Sequence, residues 1–589
     1  MREADPPGRD VLWRAVGGQR RDVTLGALLG MGHQTGEALV PVLIGVAVER
    51  GVVDGDVPGL LLWLAVLAAV YVGLSLSFRF SARAGERASV TAAHHLRTEL
   101  VGRVLAPEGG ADEGRLPGEL TNVATEDAKR VGAVAMALVV ALAAAAGLVV
   151  SAVALLRVSL VLGLLVLMGT PLLLWFGHLL SKPLERRSET EQERAARASG
   201  VAADLVAGLR VLKGIGAEPA AVARYRRISG DSLAATLRAA RAEAWQNGVV
   251  TVLTGTFIAL VALVGGRLAA RGDIGLGDLV SSVGLALFLI GPLTEFAWVN
   301  TELAQGRASA ARIAEILDAP PAVPPGPTST DRASGRPDRS DTVPHGHSDT
   351  VPHAAEGRLR LRRVSYRTLR SVDLDIAAGE ILGVAAPDPA DATALLRLLG
   401  RSADPEAGAV ELDGRNLTAL HIKDVRAAIL VAAHDADLFE GTVLENVTAA
   451  AGARTSAVTL VGPAMAASGT DEVARSLPDG VYTPVTARGR SLSGGQRQRV
   501  ALARALAADT PVLVVHEPAT AVDAVTEVRV AAGIRDLRRG RTTLLVTNSP
   551  ALLAVTDRVV LLQHGRITAT GDHERLVHTC APYRTAVLT

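Results

Sequence analysis

The chain has 589 residues, of which 49% are hydrophobic, and its mean hydropathy is +0.29. A chain this long and this apolar exceeds one ordinary soluble domain, so we expect a membrane protein. The 61 basic and 60 acidic residues leave a formal net charge of +1, which excludes a nucleic-acid partner bound through bulk positive charge, and the single cysteine, Cys580, excludes an intramolecular disulfide.

Six stretches are long and apolar enough to cross the roughly 30 Å hydrocarbon layer of a bilayer as helices. They cover residues 24–47, 59–78, 131–153, 158–180, 248–266 and 279–298. Arginines and lysines crowd the two long connections, after the second and the fourth stretch, so the positive-inside rule places these connections and both termini in the cytoplasm. The arginine-rich start of the chain lacks the apolar core of a signal peptide.

The sequence divides into a helical membrane domain (1–318), a linker (319–356) and an α/β domain (357–589). Proline, serine, aspartate and histidine dominate the linker, and SDTVPH occurs in it twice, so its composition predicts disorder. Its histidines (His345, His347, His353) are expected to be solvated, and no metal site is predicted. After residue 357, strand-like and helical stretches alternate, which is typical of an α/β domain.

Residues 492–523, LSGGQRQRVALARALAADTPVLVVHEPATAVD, closely resemble the signature-to-Walker-B block of ABC (ATP-binding-cassette) ATPases. IAAGEILGV, LFEGTVLENV and TTLLVT also resemble segments of these ATPases, and LPGELTNVATEDAKRV and GLRVLKGIGAE resemble the intracellular loops of exporter-type ABC proteins. The resemblance covers nearly the whole chain outside the linker. It implies a half-transporter that works with ATP and Mg²⁺: a six-helix transmembrane domain with long cytoplasmic extensions, followed by a P-loop-type ATPase domain.

The phosphate loop departs from this family pattern. Such a loop needs glycines, whose backbone N–H groups can close around phosphate, and a lysine to meet its charge, in the order G-x-x-x-x-G-K-[ST]. The matching window, AAPDPADAT, puts Asp391 at the lysine and Ala392 at the Mg²⁺-binding hydroxyl, before Thr393. An anion 4 Å from phosphate is repelled by about 4 kcal/mol at an effective dielectric of 20. The window therefore predicts a loss of ATP affinity.

Other positions that the resemblance assigns to the same pocket are also altered. His516 stands at the metal-orienting aspartate of Walker B, Asn548 at the switch histidine and His434 at the Q-loop glutamine, while Thr368 stands near the adenine-stacking aromatic position. The usual general base, Glu517, is retained. These changes together predict that the pocket does not hydrolyse ATP and that Glu517 is orphaned.

The signature itself is intact, with Leu492, Ser493, Gly494, Gly495 and Gln496 in place. A serine hydroxyl and glycine N–H groups at a helix start suit a γ-phosphate. In the resembling family the signature of one chain closes over ATP held by the other, and Asp523, at the D-loop position, faces the same partner. The resemblance thus implies a second half-transporter with intact Walker A, Walker B and switch histidine. The alternative is that the signature persists only as a helix cap and fold element.

Polar groups also interrupt the first apolar stretch, at His33, Gln34 and Glu37. Ionisable groups are costly inside a membrane, and His33 and Glu37 share one helix face. They predict either a substrate- or proton-linked role or a hydrogen-bonded pair that lines a wet cavity.

Three functions are consistent with the sequence. The first is half of a heterodimeric exporter in the plasma membrane that moves a small molecule, peptide or lipid. The second is a homodimeric pseudo-ATPase with a binding or regulatory role, and the third is a homodimeric ATPase with an unconventional pocket. Under the first, Ser493→Arg abolishes transport and Asp391→Lys changes little.

Overall fold

The computed structural model describes residues 8–324, 355–434, 437–450 and 455–588. The predicted linker, with its repeat and histidines, lies almost wholly outside them. The chain forms two compact units: Met1–Arg103 with Arg115–Asp318, and Val104–Gly114 with Ala319–Thr589. The segment Val104–Gly114 thus joins the second unit, although it lies within the predicted membrane domain. Its Glu108 carbonyl accepts a 3.2 Å hydrogen bond from Val323 N.

The first unit is helical. Its α-helices are α1 (Arg9–Gly17), α2 (Arg20–Val48), α3 (Val57–Val104), α4 (Pro117–Asn122), α5 (Ala128–Val158), α6 (Leu160–Ala207), α7 (Leu209–Gly214), α8 (Glu218–Ala270), α9 (Leu276–Phe288) and α10 (Ile290–Leu317). Two π-helical turns, Glu49–Val53 and Val123–Asp127, extend α2 and precede α5. Several helices run far beyond the roughly 20 residues that cross a bilayer, which agrees with the predicted extensions.

Four helical stretches in the described chain are long and apolar enough to cross a membrane: Val57–Val104, Pro117–Val158, Glu218–Ala270 and Leu276–Leu317. Leu160–Leu173, in α6, is a shorter apolar helix. The α2 helix is not among the four because its polar residues lower its mean hydropathy. Six crossings therefore remain a prediction.

The last predicted span, 279–298, is not one regular helix but α9 and α10, separated at Leu289. Pro292 explains the break. A proline has no N–H, so the Phe288 carbonyl loses its partner one turn later.

A buried carboxylate paired with a half-exposed arginine fixes α10 against the π-helical turn before α5. The Asp127 carboxylate accepts hydrogen bonds from Arg312 Nε at 2.8 Å and Nη2 at 2.5 Å, and from Ser309 Oγ at 2.8 Å. Asp127 is 1% exposed. Because a buried carboxylate must be paired, this contact holds the two helices in a fixed register.

The described residues of the second unit form twelve strands: β1 (Leu359–Tyr366), β2 (Leu369–Ile376), β3 (Ile381–Ala385), β4 (Ala407–Leu412), β5 (Arg415–Asn416), β6 (Ile429–Ala432), β7 (Gly441–Thr442), β8 (Pro484–Val485), β9 (Val512–His516), β10 (Thr542–Val546), β11 (Arg558–Gln563) and β12 (Arg566–Gly571). A six-stranded sheet has the order β12-β11-β3-β10-β9-β6 and is parallel except for β12. A four-stranded antiparallel sheet has the order β2-β1-β4-β5. Strands β3 and β10 are buried throughout, as expected of parallel strands covered on both faces.

Helices cover these sheets. They are α11 (Pro389–Leu399), α12 (Ile422–Ala428), α13 (Val443–Thr448), α14 (Thr455–Ser468), α15 (Thr470–Ser476), α16 (Gly494–Ala507), α17 (Ala524–Leu537), α18 (Pro550–Leu553), α19 (His573–Thr579) and α20 (Ala581–Leu588). The predicted fold class, a helical membrane domain followed by an α/β domain, is confirmed.

One buried arginine ties the strands that carry the site residues. Arg538 donates from Nη1 to Thr510 O at 2.9 Å, from Nη2 to Thr542 O at 3.0 Å and from Nε to Thr543 Oγ1 at 3.0 Å. Burial lowers the pKa of Arg538 to about 10. The side chain stays charged at neutral pH and anchors the beginnings of β9 and β10.

Candidate functional site

The signature sequence forms the start of α16. Ser493 is the N-cap residue: its Oγ accepts a hydrogen bond from Gln496 N at 3.3 Å, and Gln496 Oε1 accepts one from Ser493 N at 2.9 Å. This reciprocal pair is a capping box, which satisfies two N–H groups of the helix start. Leu492 is buried below it, whereas Ser493 and Gly494 are exposed. Within the described chain, the N–H groups of Gly494 and Gly495 have no acceptor, so they are available to a ligand.

The second signature glycine is required by packing. A Cβ on Gly495 would lie 2.5 Å from Ala521 O, whereas a Cβ on Gly494 would meet its nearest neighbour, Ala521 Cβ, at 3.6 Å. Gln498 ties α16 to the same segment: its Nε2 donates to Thr520 Oγ1 at 2.7 Å, and its Oε1 accepts from Ala521 N at 2.9 Å. The signature and the segment before Asp523 therefore form one rigid piece.

Asp523 caps the next helix, α17. Its Oδ1 accepts from Thr526 N at 3.0 Å and its Oδ2 from Thr526 Oγ1 at 2.7 Å. These hydrogen bonds, the backbone one first, hold the pKa of Asp523 below its usual value. Asp523 is exposed, so a structural cap and a contact with a partner are both open to it.

The phosphate-loop segment connects β3 to α11 and offers few N–H groups to a ligand. Pro387 and Pro389 have none. Ala390 N donates to Asp388 Oδ1 at 2.9 Å, and Asp391 N donates to Asp388 O at 3.1 Å. Of the N–H groups in this segment, those of Pro387 and Pro389 are thus missing and those of Ala390 and Asp391 are already satisfied.

The structure corrects the prediction made for Asp391. Its side chain is 1% exposed, and its Oδ2 accepts a 2.9 Å hydrogen bond from Gly565 N, in the turn between β11 and β12. The charge faces the domain interior, so the expectation that it would repel a phosphate directly is wrong. Asp391 instead braces the start of α11 against the β11–β12 turn.

The side-chain orientations at the start of α11 also shift the alignment of the phosphate-loop motif by one residue. Ala392 is buried, while the exposed Thr393 donates from Oγ1 to Pro389 O at 2.8 Å. When Thr393 takes the hydroxyl position, Ala392 stands at the lysine and Asp391 at the second glycine. The predicted alignment had placed each motif position one residue earlier. Neither alignment contains a lysine, so the segment does not fit the β- and γ-phosphates of ATP.

Glu517, directly after β9, has its carboxylate engaged by the two residues that follow β10. Its Oε2 accepts from Thr547 Oγ1 at 2.8 Å and its Oε1 from Asn548 N at 3.1 Å. Its backbone φ of 46° lies in the left-handed region, where a non-glycine residue is strained, and Glu517 N donates to Val546 O at 3.0 Å. Both carboxylate oxygens therefore hold the end of β10.

The remaining altered positions converge beside Glu517. His434 Nδ1 lies 3.2 Å from Glu517 O, so it donates to that carbonyl, and its ring lies 6.0 Å from the His516 ring, edge to face. Asn548 Nδ2 donates to Ala386 O at 3.3 Å. The structure thus brings His434, His516, Glu517 and Asn548 together, as the motif positions predict.

Next to this group lies a cavity of about 190 Å³, with His434, His516, Arg497, Gln498 and Thr520 in its lining. Among the residues that the structure describes, no group of three or more His, Cys, Asp or Glu side chains is placed to hold a metal ion. The two histidines alone do not form a metal site.

The position near the adenine-stacking aromatic is a tight turn. Thr368 follows Arg367 between β1 and β2, and the Arg367 guanidinium lies 5.5 Å from the ring centroid of the buried Tyr366. The β11–β12 turn packs directly on it: a Cβ on Gly565 would overlap the Thr368 carbonyl. The aromatic ring that remains, Tyr366, is in the core.

In the membrane unit, the structure adds a residue that the sequence prediction omitted. Gln34 Nε2 donates to both carboxylate oxygens of Glu295, at 3.3 and 3.1 Å. His33 Nδ1 donates to Leu74 O at 2.9 Å, and His33 Nε2 lies 3.5 Å from Glu37 Oε2. The signal for Glu295 was in the sequence, since it is an acidic residue inside the apolar stretch 279–298.

Comparisons with known proteins agree with this architecture. The family described as ABC transporter transmembrane region matches residues 23–293, and the family described as ABC transporter matches residues 369–520. The chain is 30% identical over 586 residues to the multidrug efflux ATP-binding/permease protein of Mycobacterium tuberculosis, covering 97% of this chain and 47% of that protein. It therefore spans about half the length of that relative.

Two further similar proteins are matched over most of their own length. The ATP-dependent lipid A-core flippase of Thiobacillus denitrificans is 29% identical over 423 residues, which are 71% of this chain and 69% of the flippase. A solved bacterial Atm1-family ABC exporter with ATP bound has a TM-score of 0.72 and 22% identity, covering 98% of this chain and 99% of that one. A helical membrane region and an ABC ATPase domain, with the fold of a solved ABC exporter, are thus present in one chain, which belongs to the ABC transporter family.

Proposed function

We propose that this chain is the degenerate half of a heterodimeric ABC exporter, which leaves ATP hydrolysis to a partner and supplies the signature for the partner's ATP site. The observation that carries the proposal is a contrast within one domain. At the start of α16, Ser493 and Gly494 are exposed, Gly495 is half-buried, and the N–H groups of both glycines have no acceptor within the described chain. The start of α11 has no lysine, Pro387 and Pro389 have no N–H group, and the N–H groups of Ala390 and Asp391 are bonded to Asp388.

The state of Glu517 supports the same proposal. A general base needs to reach a water molecule, but both of its carboxylate oxygens accept hydrogen bonds from Thr547 and Asn548. His516 replaces the carboxylate that would orient Mg²⁺ in the resembling family. ATP and Mg²⁺ therefore bind chiefly in the site built on the partner's Walker motifs.

The chain's own contribution to that site is electrostatic. ATP supplies the energy of its γ-phosphate bond, and Ser493 Oγ with the N–H groups of Gly494 and Gly495 binds the γ-phosphate at the positive end of α16. The capping box holds the serine in place, and the bonds of Gln498 hold the segment that leads to Asp523.

The partner is a second ABC half-transporter with intact Walker motifs and switch histidine. The mycobacterial relative supports a pairing of two halves, since 97% of this chain accounts for only 47% of it. The names of the relatives suggest small molecules or lipids as cargo. The transporter resides in the plasma membrane, with the ATPase domain and both termini in the cytoplasm, as the distribution of basic residues predicts.

One observation favours the second candidate, a homodimeric pseudo-ATPase with a binding or regulatory role. Ser493 and Asp523 both cap helices. A signature needed only as a fold element would keep these residues without any partner.

The test distinguishes a signature that only caps α16 from one that also contacts the phosphate of ATP bound by a partner. Mg²⁺-dependent ATPase activity is measured for the purified chain in lipid, alone and mixed with a half-transporter that has intact Walker motifs. We expect activity in the mixture beyond that of the added half alone and none from this chain alone. Ser493→Asp keeps a good N-cap but should lower the mixed activity at least about 100-fold, because like charges 4 Å apart repel by about 4 kcal/mol at a dielectric of 20.

The matched control is Thr442→Asp, in the capping box formed with Glu445. It adds the same charge at another helix start and should leave the activity unchanged. Equal activity of wild type and Ser493→Asp in the mixture would favour the pseudo-ATPase, and turnover by this chain alone would contradict the degenerate pocket.

A further inference from the structure

A cavity of about 750 Å³ lies in the helical membrane unit, between α1, α5 and α10. Its walls are apolar: Leu12 and Val16 come from α1, Val134 and Leu138 from α5, and Leu303 from α10. The volume falls within the roughly 300–1,000 Å³ that is usual for pockets that bind small molecules. The cavity is therefore large enough for an apolar ligand.

Close contacts between helices frame this space. A Cβ on Gly306, in α10, would overlap Val134 Cγ2, and a Cβ on Gly8, the N-cap residue of α1, would overlap the backbone of Ala311. Both α1 and α5 thus touch α10 directly. The space remains where α10 carries only the small side chains of Ala308 and Ala311.

The cavity lies where two predicted spans meet the membrane surface. Val134 and Leu138 are among the first residues of the span 131–153, and Leu303 follows the end of the span 279–298. The first of these ends adjoins a long basic connection, and the second leads toward the α/β domain. The positive-inside rule places both ends, and hence the cavity, at the cytoplasmic face.

Helix α1 has the pattern of a helix that lies along the membrane surface. Val11, Leu12 and Val16 are buried on one side. Trp13 is 57% exposed, and Arg14 is exposed as well. Amphipathic helices with tryptophan and arginine lie between the lipid headgroups and the acyl chains. Because the exposed Trp13 also lines the cavity, the cavity opens toward lipid.

The charged groups at the cavity are cationic. Arg9 and Arg307 line it, both residues are exposed, and the lining that the structure describes contains no acidic residue. No ion pair within the described chain engages Arg307. Guanidinium groups donate charge-assisted hydrogen bonds to phosphate, and basic pockets between helices on the cytoplasmic side bind anionic lipid headgroups. The two arginines therefore complement a lipid with a net negative charge.

We infer that this cavity binds one acyl chain of an anionic phospholipid of the cytoplasmic leaflet. The acyl chain lies between α1, α5 and α10, in contact with Trp13, and the lipid phosphate accepts hydrogen bonds from Arg9 and Arg307. Binding requires neither ATP nor a partner chain, so the inference stands apart from the proposed function.

Lipid binding is measured by native mass spectrometry of the full chain in a mild detergent. The chain is titrated with phosphatidylglycerol or with phosphatidylcholine of the same acyl chains. We expect the first phosphatidylglycerol to bind at least about tenfold more tightly than phosphatidylcholine. Arg307→Gln should weaken phosphatidylglycerol binding about fivefold, the contribution of one basic residue near anionic lipid, and should change phosphatidylcholine binding much less.

The matched control for charge is Arg14→Gln, on α1. Arg14 lies 3.5 Å from Glu99 and does not line the cavity, so this variant should bind phosphatidylglycerol as wild type does. An equal loss in Arg14→Gln and Arg307→Gln would indicate only a general attraction between anionic lipid and basic residues, and it would overturn the inference.

A second pair of variants tests the cavity and keeps every charge. Ala308→Phe places a ring in the cavity and should weaken phosphatidylglycerol binding at least about tenfold. Ala304→Phe, at an exposed position of the same helix outside the lining, should not. Equal affinities of wild type and Ala308→Phe would overturn the inference. Preferential binding that appears only after deletion of residues 2–7 would assign the cavity to the start of the chain and would overturn it as well.

Discussion

The starts of α11 and α16 are both helix N-termini of the second unit, and they differ in what their first turns offer to an anion. In α16 the cap is reciprocal and local, so the N–H groups of the exposed Gly494 and the half-buried Gly495 stay free within the described chain. At the start of α11, Pro387 and Pro389 have no N–H group, the N–H groups of Ala390 and Asp391 are bonded to Asp388, and the Asp391 side chain turns inward. A helix start binds phosphate only when its N–H groups are unoccupied. In this domain the start of α16 meets that condition better than the start of α11.

The largest expected effect concerns the inward-facing residue. Asp391→Lys removes the acceptor of Gly565 N and buries a cation without a partner. We expect it to lower the free energy of unfolding by about 3–5 kcal/mol, the range for an uncompensated buried charge, and not to create ATP binding. Thermal unfolding with and without Mg-ATP measures both.

Thr393→Lys is the matched control for this change. It is an exposed position of the same helix and should alter stability by less than about 0.5 kcal/mol. An Asp391→Lys protein as stable as wild type would show that the brace is unimportant. This effect concerns stability, and the expectation that Asp391→Lys changes transport little stays a separate prediction.

The next effect tests whether the signature glycines serve packing. Gly495→Ala places a Cβ 2.5 Å from Ala521 O, so we expect a loss of about 1–3 kcal/mol, as for other overpacked sites. Gly494→Ala meets only an ordinary contact at 3.6 Å and should be nearly neutral. Chemical denaturation of the two variants gives the comparison, and equal stabilities would argue against the close contact.

Glu517 gives a smaller effect of a different kind. Glu517→Gln keeps an acceptor for Thr547 or Asn548 but loses the charge, so we expect a loss of about 1–2 kcal/mol in stability. The ATPase activity of the mixed halves should change less than about twofold, because the general base of the active ATP site belongs to the partner chain. A large fall in activity without loss of stability would restore Glu517 as a catalytic residue.

The smallest effect is a pH dependence at the cap of α17. The pKa of Asp523 is lowered in the folded chain, so its contribution to stability is present above the unfolded-state pKa and is lost as the pH falls through the folded one, below about pH 4. Asp523→Asn keeps the cap and removes the titration. Melting temperatures measured from pH 5 to 2 should fall less steeply in this variant than in wild type or in Asp536→Asn.

The sequence predicted what depends on residue type and spacing. The intact signature, the missing lysine and the alternation of strands and helices were readable because each is a local pattern, and the fold class is confirmed. The direction of the Asp391 side chain was not readable, since it depends on Gly565, far away in the chain. The motif position predicted that Asp391 repels a phosphate, whereas in the fold its carboxylate accepts a hydrogen bond from Gly565 N.

The membrane unit shows the same limit. Long apolar stretches predicted its helices, but the break at Leu289 required attention to Pro292, and the partner of Gln34 lies on a helix far along the chain. The polar residues of α2 were noted from sequence, whereas their pairing with Glu295 depends on how the helices pack. Local patterns predict elements, and tertiary contacts decide which polar groups meet.

The brace formed by Asp391 and Gly565 has a consequence for how the protein responds to its surroundings. An ordinary nucleotide-binding domain is stabilised by its ligand in proportion to the logarithm of ligand concentration, so its resistance to unfolding and proteolysis rises and falls with cellular ATP. A domain whose phosphate loop is held by its own carboxylate has that support built into the chain. Under the proposed function, we therefore expect the resistance of this domain to unfolding and proteolysis to depend little on the ATP concentration.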